Sequence, residues 1–525
     1  MARLVFTDIF ALLACTVLVA LLWLRNHKRR REPHPPGPPG LPFIGNLREL
    51  PNPRAFPWSK YMNWSKQYNS DIIRLNALGV NLVVANSMEV ARELLDKRSA
   101  IYSDRPRMVM LNELCGFGRA MGFSPYNAFW KESRKMARQQ FHSTPVKRFR
   151  PVEVRSTHRF LLGLLQNPDQ LMENLRHLAG ATIMSIAYDI EVQPHDDPFV
   201  QTAEEAATVM AETADAGSYL VDTIPILKHV PDWFPGASFK KQARVWRTAV
   251  DKLFADPYDV CRRRWAAGEL GDCAAKSMMD TFRKHAHDPS YTDMLIEASL
   301  GSLYVGGFAG GADTTVSALG TFFLAMTLNP DVQGKARTEI DKVVGPHRLP
   351  DFHDQPSLPY IDAIVKETIR WRPVIPLDIP HRLTEDDIYN GYYLPKGSLI
   401  VANTWAMLHD EEAYTEPSRF NPDRFLKPDG TTDLAVRDPS SAAFGFGRRI
   451  CPGRFMALDS IWIAIACVLA LFEIKKAVGE DGREITPDAE YHLGFLCHPK
   501  PFPCVIKPRS NEHQQLVREL AEHAF

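Results

Sequence analysis

Residues 444–453 read FGFGRRICPG and lead, through Arg454, into FMALDSIWIAIACVLALF, an apolar run with the length of a long helix. A cysteine in that loop would lie just ahead of a helix N-terminus, where the helix dipole favours an anion. Gly445, Gly447 and Gly453 supply backbone freedom and leave room for another group to approach the main chain. Arg448 and Arg449 bring positive charge that stabilises a thiolate, and a thiolate is a metal ligand. The competing reading is a small buried residue with no chemistry, as most free cysteines are. The eight cysteines, at 15, 115, 261, 273, 451, 467, 497 and 504, form no CxxC pair and no regular framework. That speaks against a zinc site and a disulfide scaffold. If Cys451 binds a metal, it does so as the single protein ligand, and a lone axial thiolate suggests heme iron.

With 525 residues, 45% of them hydrophobic, the chain can bury a large core. Its formal net charge is zero and no basic stripe interleaves with aromatics, so nothing points to nucleic acid. The run at 4–24, LVFTDIFALLACTVLVALLWL, would span ~30 Å as a helix, the thickness of the hydrocarbon core. A cleaved signal peptide competes with an uncleaved anchor here. The basic RNHKRRR that follows, where a small-residue cleavage site would be required, favours the anchor and places the body in the cytosol. We therefore read 1–31 as a transmembrane signal anchor with a basic stop. Prolines 33, 35, 36, 38, 39 and 42 make 32–46 a stiff, extended, largely non-hydrogen-bonded hinge. Residues 47–510 contain no linker and no repeat and read as one catalytic domain, and 511–525 as a polar C-terminal tail. Helical periodicity predominates, at 292–328, 330–344, 360–371 and 454–472, while strand-like pieces at 71–86 and 388–403 are short. The fold class is mainly α with small β-sheets (α+β).

Four further stretches carry candidate chemistry, each with a plainer reading beside it. LYVGGFAGGADTTVSAL at 303–319 places four glycines in a helical pattern, each costing about 1 kcal/mol relative to alanine. They mark either close helix packing or a helix opened beside a ligand, with Asp313 and Thr314 offering an acid and an alcohol for proton relay. In KETIRWRP, Glu367 and Arg370 share a helix face, an ordinary surface pair unless Arg424 of FNPDRF joins them in a buried network. In NAFWKESRK, Trp130 and Arg134 share a face and suit a carboxylate or propionate, or else form an interfacial helix. His381 in IPHRLTED would add a similar donor.

Taken together and in this order, PPGPPGLPFIGN, WKESR, GGADTT, ETIR, FNPDRF and FGFGRRICPG resemble the cytochrome P450 superfamily of heme-thiolate monooxygenases, over nearly the whole chain. The anchor and hinge are similar to the microsomal type, and the body to fungal secondary-metabolism enzymes, mushroom tryptamine hydroxylases among them. The resemblance implies the cytochrome P450 fold and heme b with Cys451 as axial ligand. It implies propionate contacts from Trp130, Arg134, His381 and Arg449, a structural triad of Glu367, Arg370 and Arg424, and Asp313 with Thr314 as the acid and alcohol pair. Two departures are Asn127, where relatives often have glycine, and Asp423 in place of a glutamate.

The implied reaction inserts one atom of O2 into an organic substrate and reduces the other to water. Lacking a nucleotide or flavin motif, the chain would take NADPH-derived electrons from NADPH–cytochrome P450 reductase, with cytochrome b5 as a further donor, on the endoplasmic reticulum membrane. It would be single-pass, with its catalytic domain facing the cytosol and in contact with membrane lipid. A heme-thiolate isomerase or dehydratase, which often loses the alcohol that Thr314 supplies, and a non-catalytic heme-binding sensor are the competing classes. Segments 107–123, 214–236, 374–379 and 495–497, with Phe308, are candidate lining. They are mostly apolar and point to a small apolar substrate, a terpenoid or an aromatic or indolic metabolite. Asp378 would meet an amine if it points inward, or solvent if it does not.

Overall fold

The computed structural model describes residues 33–52, 55–193, 196–214, 219–306 and 312–522. The anchor at 4–24, Phe308 and the side chain of Asp313 lie outside the described residues.

Helices build most of the body. They are Pro57–Tyr68 (α1), Ala128–Phe141 (α2), Arg150–Gln166 (α3), Leu171–Tyr188 (α4), Pro198–Thr213 (α5) and Ser238–Ala267 (α6). Pro289–Tyr304 (α7), Ala312–Leu328 (α8), Pro330–Val343 (α9), Pro359–Trp371 (α10), Arg454–Leu471 (α11) and Asn511–Glu522 (α12) follow. Local chemistry sets several starts: the side chains of Asn127, Asp197 and Asp288 accept from backbone N–H groups in the first turns of α2, α5 and α7. Asn127, the departure noted above, is thus the cap of the helix that carries Trp130. The helix foreseen over 292–328 is described as α7 and α8, on either side of 307–311.

A helix that is apolar on every side has to be buried. In α11 residues 461–471 are all buried, packed among α3, α8, α9 and α10. Among the described residues it is the one helix long and apolar enough to cross a membrane, and its burial makes it a core helix.

The sheets are small. Ile72–Ala77 (β1) and Val80–Ala85 (β2) form a hairpin turned by Leu78 and Gly79, both at positive φ. His381–Arg382 (β3), Asp387–Tyr389 (β4), Tyr392–Leu394 (β5) and Leu399–Ala402 (β6) come later, and β2 pairs with β6 in parallel to give the order β1-β2-β6-β3. That pairing joins the early and late parts of the chain and fixes His381 on β3. Phe472–Val478 (β7) pairs with Glu484–Ile485 (β8) on one side and Cys504–Pro508 (β11) on the other, while Tyr491–His492 (β9) and His498–Pro499 (β10) form a hairpin that presents Phe495.

Two readings of the chain ends are corrected. The proline segment is extended, but it is no free spacer: the Pro33 carbonyl accepts from Tyr393 N–H at 2.8 Å and the Pro36 carbonyl from Arg74 N–H at 2.9 Å. Asn46 closes it, donating to the Pro38 carbonyl and accepting from Asn76 N–H, each at 2.9 Å. The contact is so close that a Cβ at Gly37 would come within 2.0 Å of the Arg74 carbonyl oxygen. Proline lacks the backbone N–H but keeps its carbonyl acceptor, which can still pair with a strand edge, and proline content alone does not reveal that pairing. The polar tail is a helix through Glu522, with Val517 buried and Leu516 packed against the core that α3 and α11 share.

Candidate active site

Cys451 lies two residues ahead of Gly453, which caps α11. Its own N–H donates to the Phe444 carbonyl at 2.8 Å, closing the loop on itself. The loop is docked on the turn at 92–97: Gly447 N–H donates to Asp96, and a Cβ at Gly447, whose φ is positive, would meet the Leu95 carbonyl oxygen at 2.0 Å. Gly453 differs, since a side chain there would meet no atom within 4 Å. Burial holds the thiol above its ordinary pKa, opposed by Gly453 N–H, Arg134 and Arg454. Among the described residues no group of three or more His, Cys, Asp or Glu side chains could hold a metal. The described cysteines are all free.

Beside the loop, buried arginines collect and donate to backbone carbonyls, with Asp104 and Asp378 close by. Arg449 donates to the carbonyls of Ser103, Met121 and Ser124 at 2.8, 2.9 and 2.8 Å and stacks 4.2 Å from the Trp130 ring. Trp130 Nε1 donates to the Met121 carbonyl at 3.0 Å, so both side chains hold one strap of the 107–123 segment. Arg134 donates to the Ile450 carbonyl, next to the cysteine. Arg105, which sequence reasoning missed, donates to the carbonyls of Gly122, Ile379 and Pro380 at 2.8, 2.5 and 3.0 Å. Nothing in YSDRPR marks that arginine as buried. Burial and mutual repulsion push Arg449 down to about 8, and burial pushes Arg105 and Arg134 down to about 10.

His381 Nδ1 lies 2.7 Å from the Tyr102 carbonyl, while its buried Nε2 has no hydrogen-bond partner among the described residues. Asp378 Oδ2, also without one, is 3.7 Å away, too far for a hydrogen bond. Burial raises the Asp378 carboxyl, but His381, Arg105 and Ile379 N–H outweigh it and hold it below its usual range. This carboxylate is largely shielded from solvent. A Cβ at Gly445 would lie 3.4 Å from it, so it points to the cysteine loop.

The lining segments converge. The rings of Phe123 and Phe495 are 6.2 Å apart, Gly122 faces Ile379, and Cys497 N–H donates to the Val374 carbonyl at 2.9 Å. Asp222 accepts from Met110 N–H at 2.8 Å, drawing residues 219–223 to the same wall. A cleft of about 790 Å³ between α5, Phe56 and the β9–β10 hairpin reaches Phe495. On α8, Thr314 Oγ1 donates to the Gly306 carbonyl at 3.4 Å.

The structure brings Glu367, Arg370 and Arg424 together, and their side chains are buried. Arg370 donates to both oxygens of Glu367 at 2.7 and 2.9 Å, Arg424 Nε lies 3.2 Å from Oε2, and Asn421 N–H adds a bond of 2.7 Å. The spare N–H groups of the two arginines go to the carbonyls of Leu408, Arg419 and Thr415. Asp423, the other departure, sits at the surface and pairs with Lys335 at 2.7 Å.

A lone thiol at a helix start, buried guanidinium groups hydrogen-bonded to carbonyls, an imidazole nitrogen without a hydrogen-bond partner among the described residues and apolar walls fit one kind of group. It is planar and largely apolar, with a metal at its centre and carboxylates at one edge, as heme is.

The chain belongs to the cytochrome P450 family, whose model, described as Cytochrome P450, matches residues 35–505. It is 43% identical to cytochrome P450 monooxygenase 98 of Postia placenta, over 96% of each chain. It is 42% identical to cytochrome P450 monooxygenase ple1 of Rhodocybe pseudopiperita, over 94% of this chain and 93% of that one. To the tryptamine 4-monooxygenase of Psilocybe cyanescens it is 38% identical, over 95% and 98%. The protein is an oxidoreductase of the heme-thiolate monooxygenase class.

Proposed function

We propose that the protein is a membrane-anchored monooxygenase that hydroxylates a small apolar secondary metabolite, a terpenoid or an aromatic or indolic compound. The observation that carries the reading is the Cys451 loop with its collar of buried, carbonyl-bonded arginines. Bound there, heme supplies the activation of O2 and the transfer of one oxygen atom to a C–H bond, with electrons from NADPH delivered by a reductase.

The chain's own residues do the rest. Cys451 would hold the heme iron through its thiolate, which Gly453 N–H, Arg134 and Arg454 favour. Arg105, Arg449 and the Nε2 of His381 would hold the heme carboxylates, with Trp130 keeping Arg449 in place. The Thr314 hydroxyl, with Asp313 beside it in sequence, holds and passes protons at Oγ1. Phe117, Phe123, Ile379 and Phe495 exclude water and set the apolar character of the substrate. The name of the Psilocybe relative supports an indolic amine, and apolar walls alone equally suit a terpenoid.

Exposed Leu220, Ile226, Trp233 and Phe234, with Phe43 and Phe56 near the hinge, support shallow contact with a bilayer, and Phe56 also lines the cleft. Such contact, on the cytosolic face of the endoplasmic reticulum, would deliver apolar substrate from the membrane.

The test is expression with a reductase and NADPH, and feeding of terpenoid and indolic candidates. Cys451→Ser should lose both the red-shifted reduced–CO band of thiolate-bound heme and all product. A variant that keeps that band would remove Cys451 from the axial position.

A further inference from the structure

One buried acid has no part in the assignments above. Glu153, in the first turn of α3, is 2% exposed, and the Ser460 hydroxyl of α11 donates to its Oε1 at 2.7 Å. The charges beside it are already paired with each other, Arg150 donating to Asp459 at 2.8 and 3.0 Å. Burial and the nearby Asp459 push the carboxyl up to about 8, against Ser460 and Arg150. Its neutral form therefore prevails at pH 7.

A cavity of about 30 Å³ adjoins it, walled by Glu153, Thr157, Thr182, Thr315, Met456 and Ser460. That volume takes about two water molecules, and the hydroxyls and carboxyl supply the polar partners that buried water requires. Two walls adjoin candidate site residues in the chain: Thr315 follows Thr314 on α8, and Met456 is in the first turn of the helix that starts behind Cys451. A buried acid without a cationic partner costs stability, whereas glutamine would accept from Ser460 without that cost. Strongly perturbed acids of this kind concentrate at functional sites.

We propose that Glu153 is a proton-holding residue for the reaction pocket, passing protons through cavity water and the Thr315 hydroxyl to the part of α8 that carries Thr314. This rests on the monooxygenase reading, in which reducing the second oxygen atom to water takes up two protons per turnover. When the carboxyl gives its proton to the cavity water, the carboxylate left behind is held by the Ser460 hydroxyl. It regains a proton from solvent along the partly exposed Arg150–Asp459 pair, so the residue is unchanged after each cycle.

The experiment compares heme-loaded wild type, Glu153→Gln and Glu153→Asp by infrared spectroscopy and by reductase-supported oxygen consumption in H2O and D2O. Wild type should show the C=O stretch of a neutral carboxyl at pH 7, lost at alkaline pH and missing in Glu153→Gln. Glu153→Gln should keep its heme content and reduced–CO band, consume oxygen about tenfold or more slowly, and show an altered solvent isotope effect, while Glu153→Asp recovers part of the rate. The proposal is overturned by a wild-type rate and isotope effect in Glu153→Gln, by a wild type without the neutral carboxyl band, or by a Glu153→Gln protein that fails to retain heme. Loss of the reduced–CO band in wild type would instead overturn the monooxygenase reading.

Discussion

Arg449 and Glu153 show two uses of a buried charge. Arg449 keeps its charge because three carbonyls and an indole face surround it. Glu153 has one hydroxyl donor and stays neutral. Its ordinary pKa of 4.5 is raised to about 8, so between those values the unfolded chain ionises while the folded one does not. Stability is thus lost as pH rises through that window. Glu153→Gln should therefore be neutral near pH 4 and stabilising by on the order of 4 kcal/mol at pH 8, read from denaturation midpoints across pH. A variant whose gain does not grow with pH would show that the carboxyl is already ionised. At Thr314 the expectation is functional: Thr314→Ala should bind heme and accept electrons, yet release hydrogen peroxide in place of product. Asp313→Asn should slow oxygen consumption. Product and peroxide formed per NADPH oxidised separate the two, and unchanged coupling and rate in both would reduce this part of α8 to packing.

Elements place these residues. α10 carries Glu367 and Arg370 one turn apart on its buried side, and the Asn421–Phe425 turn brings Arg424 and a backbone N–H to the same carboxylate. Removing the charge leaves two guanidinium groups poorly compensated in the interior. Glu367→Gln should cost about 3–5 kcal/mol and lower holoprotein yield, whereas an exposed pair would cost under about 1 kcal/mol. Normal yield and melting temperature in the variant would demote the network to an ordinary ion pair.

For the whole molecule, hydrogen bonds tie the proline segment to the body. Because Pro33, Pro36 and Asn46 pair with β5 and β1, deletion of residues 1–31 should release much of the protein from membranes while leaving heme binding intact. Deletion of 1–46 should also lower the melting temperature, since it strips partners from buried edges of β1 and β5, at about 1 kcal/mol for each lost bond. Alkaline carbonate extraction of the full-length chain checks the anchor, and appearance of the protein in the soluble fraction would contradict a spanning helix. Equal melting temperatures for the two deletions would show that the hinge contributes nothing to the body.

Local rules carried a long way. The apolar run after Cys451 reads as a helix, 71–86 reads as strand, and the spacing of Glu367 and Arg370 puts both on one face whatever surrounds them. These follow from backbone periodicity and turn sterics, which depend on residues a few positions apart. Other features were settled only when distant segments met. Arg105 becomes a site residue because 122, 379 and 380 turn their carbonyls toward it. Asp378 faces the cysteine loop because β6 aligns the strand beside it, and the hinge is part of the body because β1 and β5 present free backbone groups. The acidity of Glu153 depends on Ser460 and Asp459, some three hundred residues away in the chain. Burial and hydrogen-bond partners of this kind are properties of contacts between remote segments, which no local pattern encodes. Sequence alone determined the helical elements and the residue types at the heart of the site, and the tertiary structure decided which of them share an environment, because desolvation and pairing exist only after the chain has closed around them.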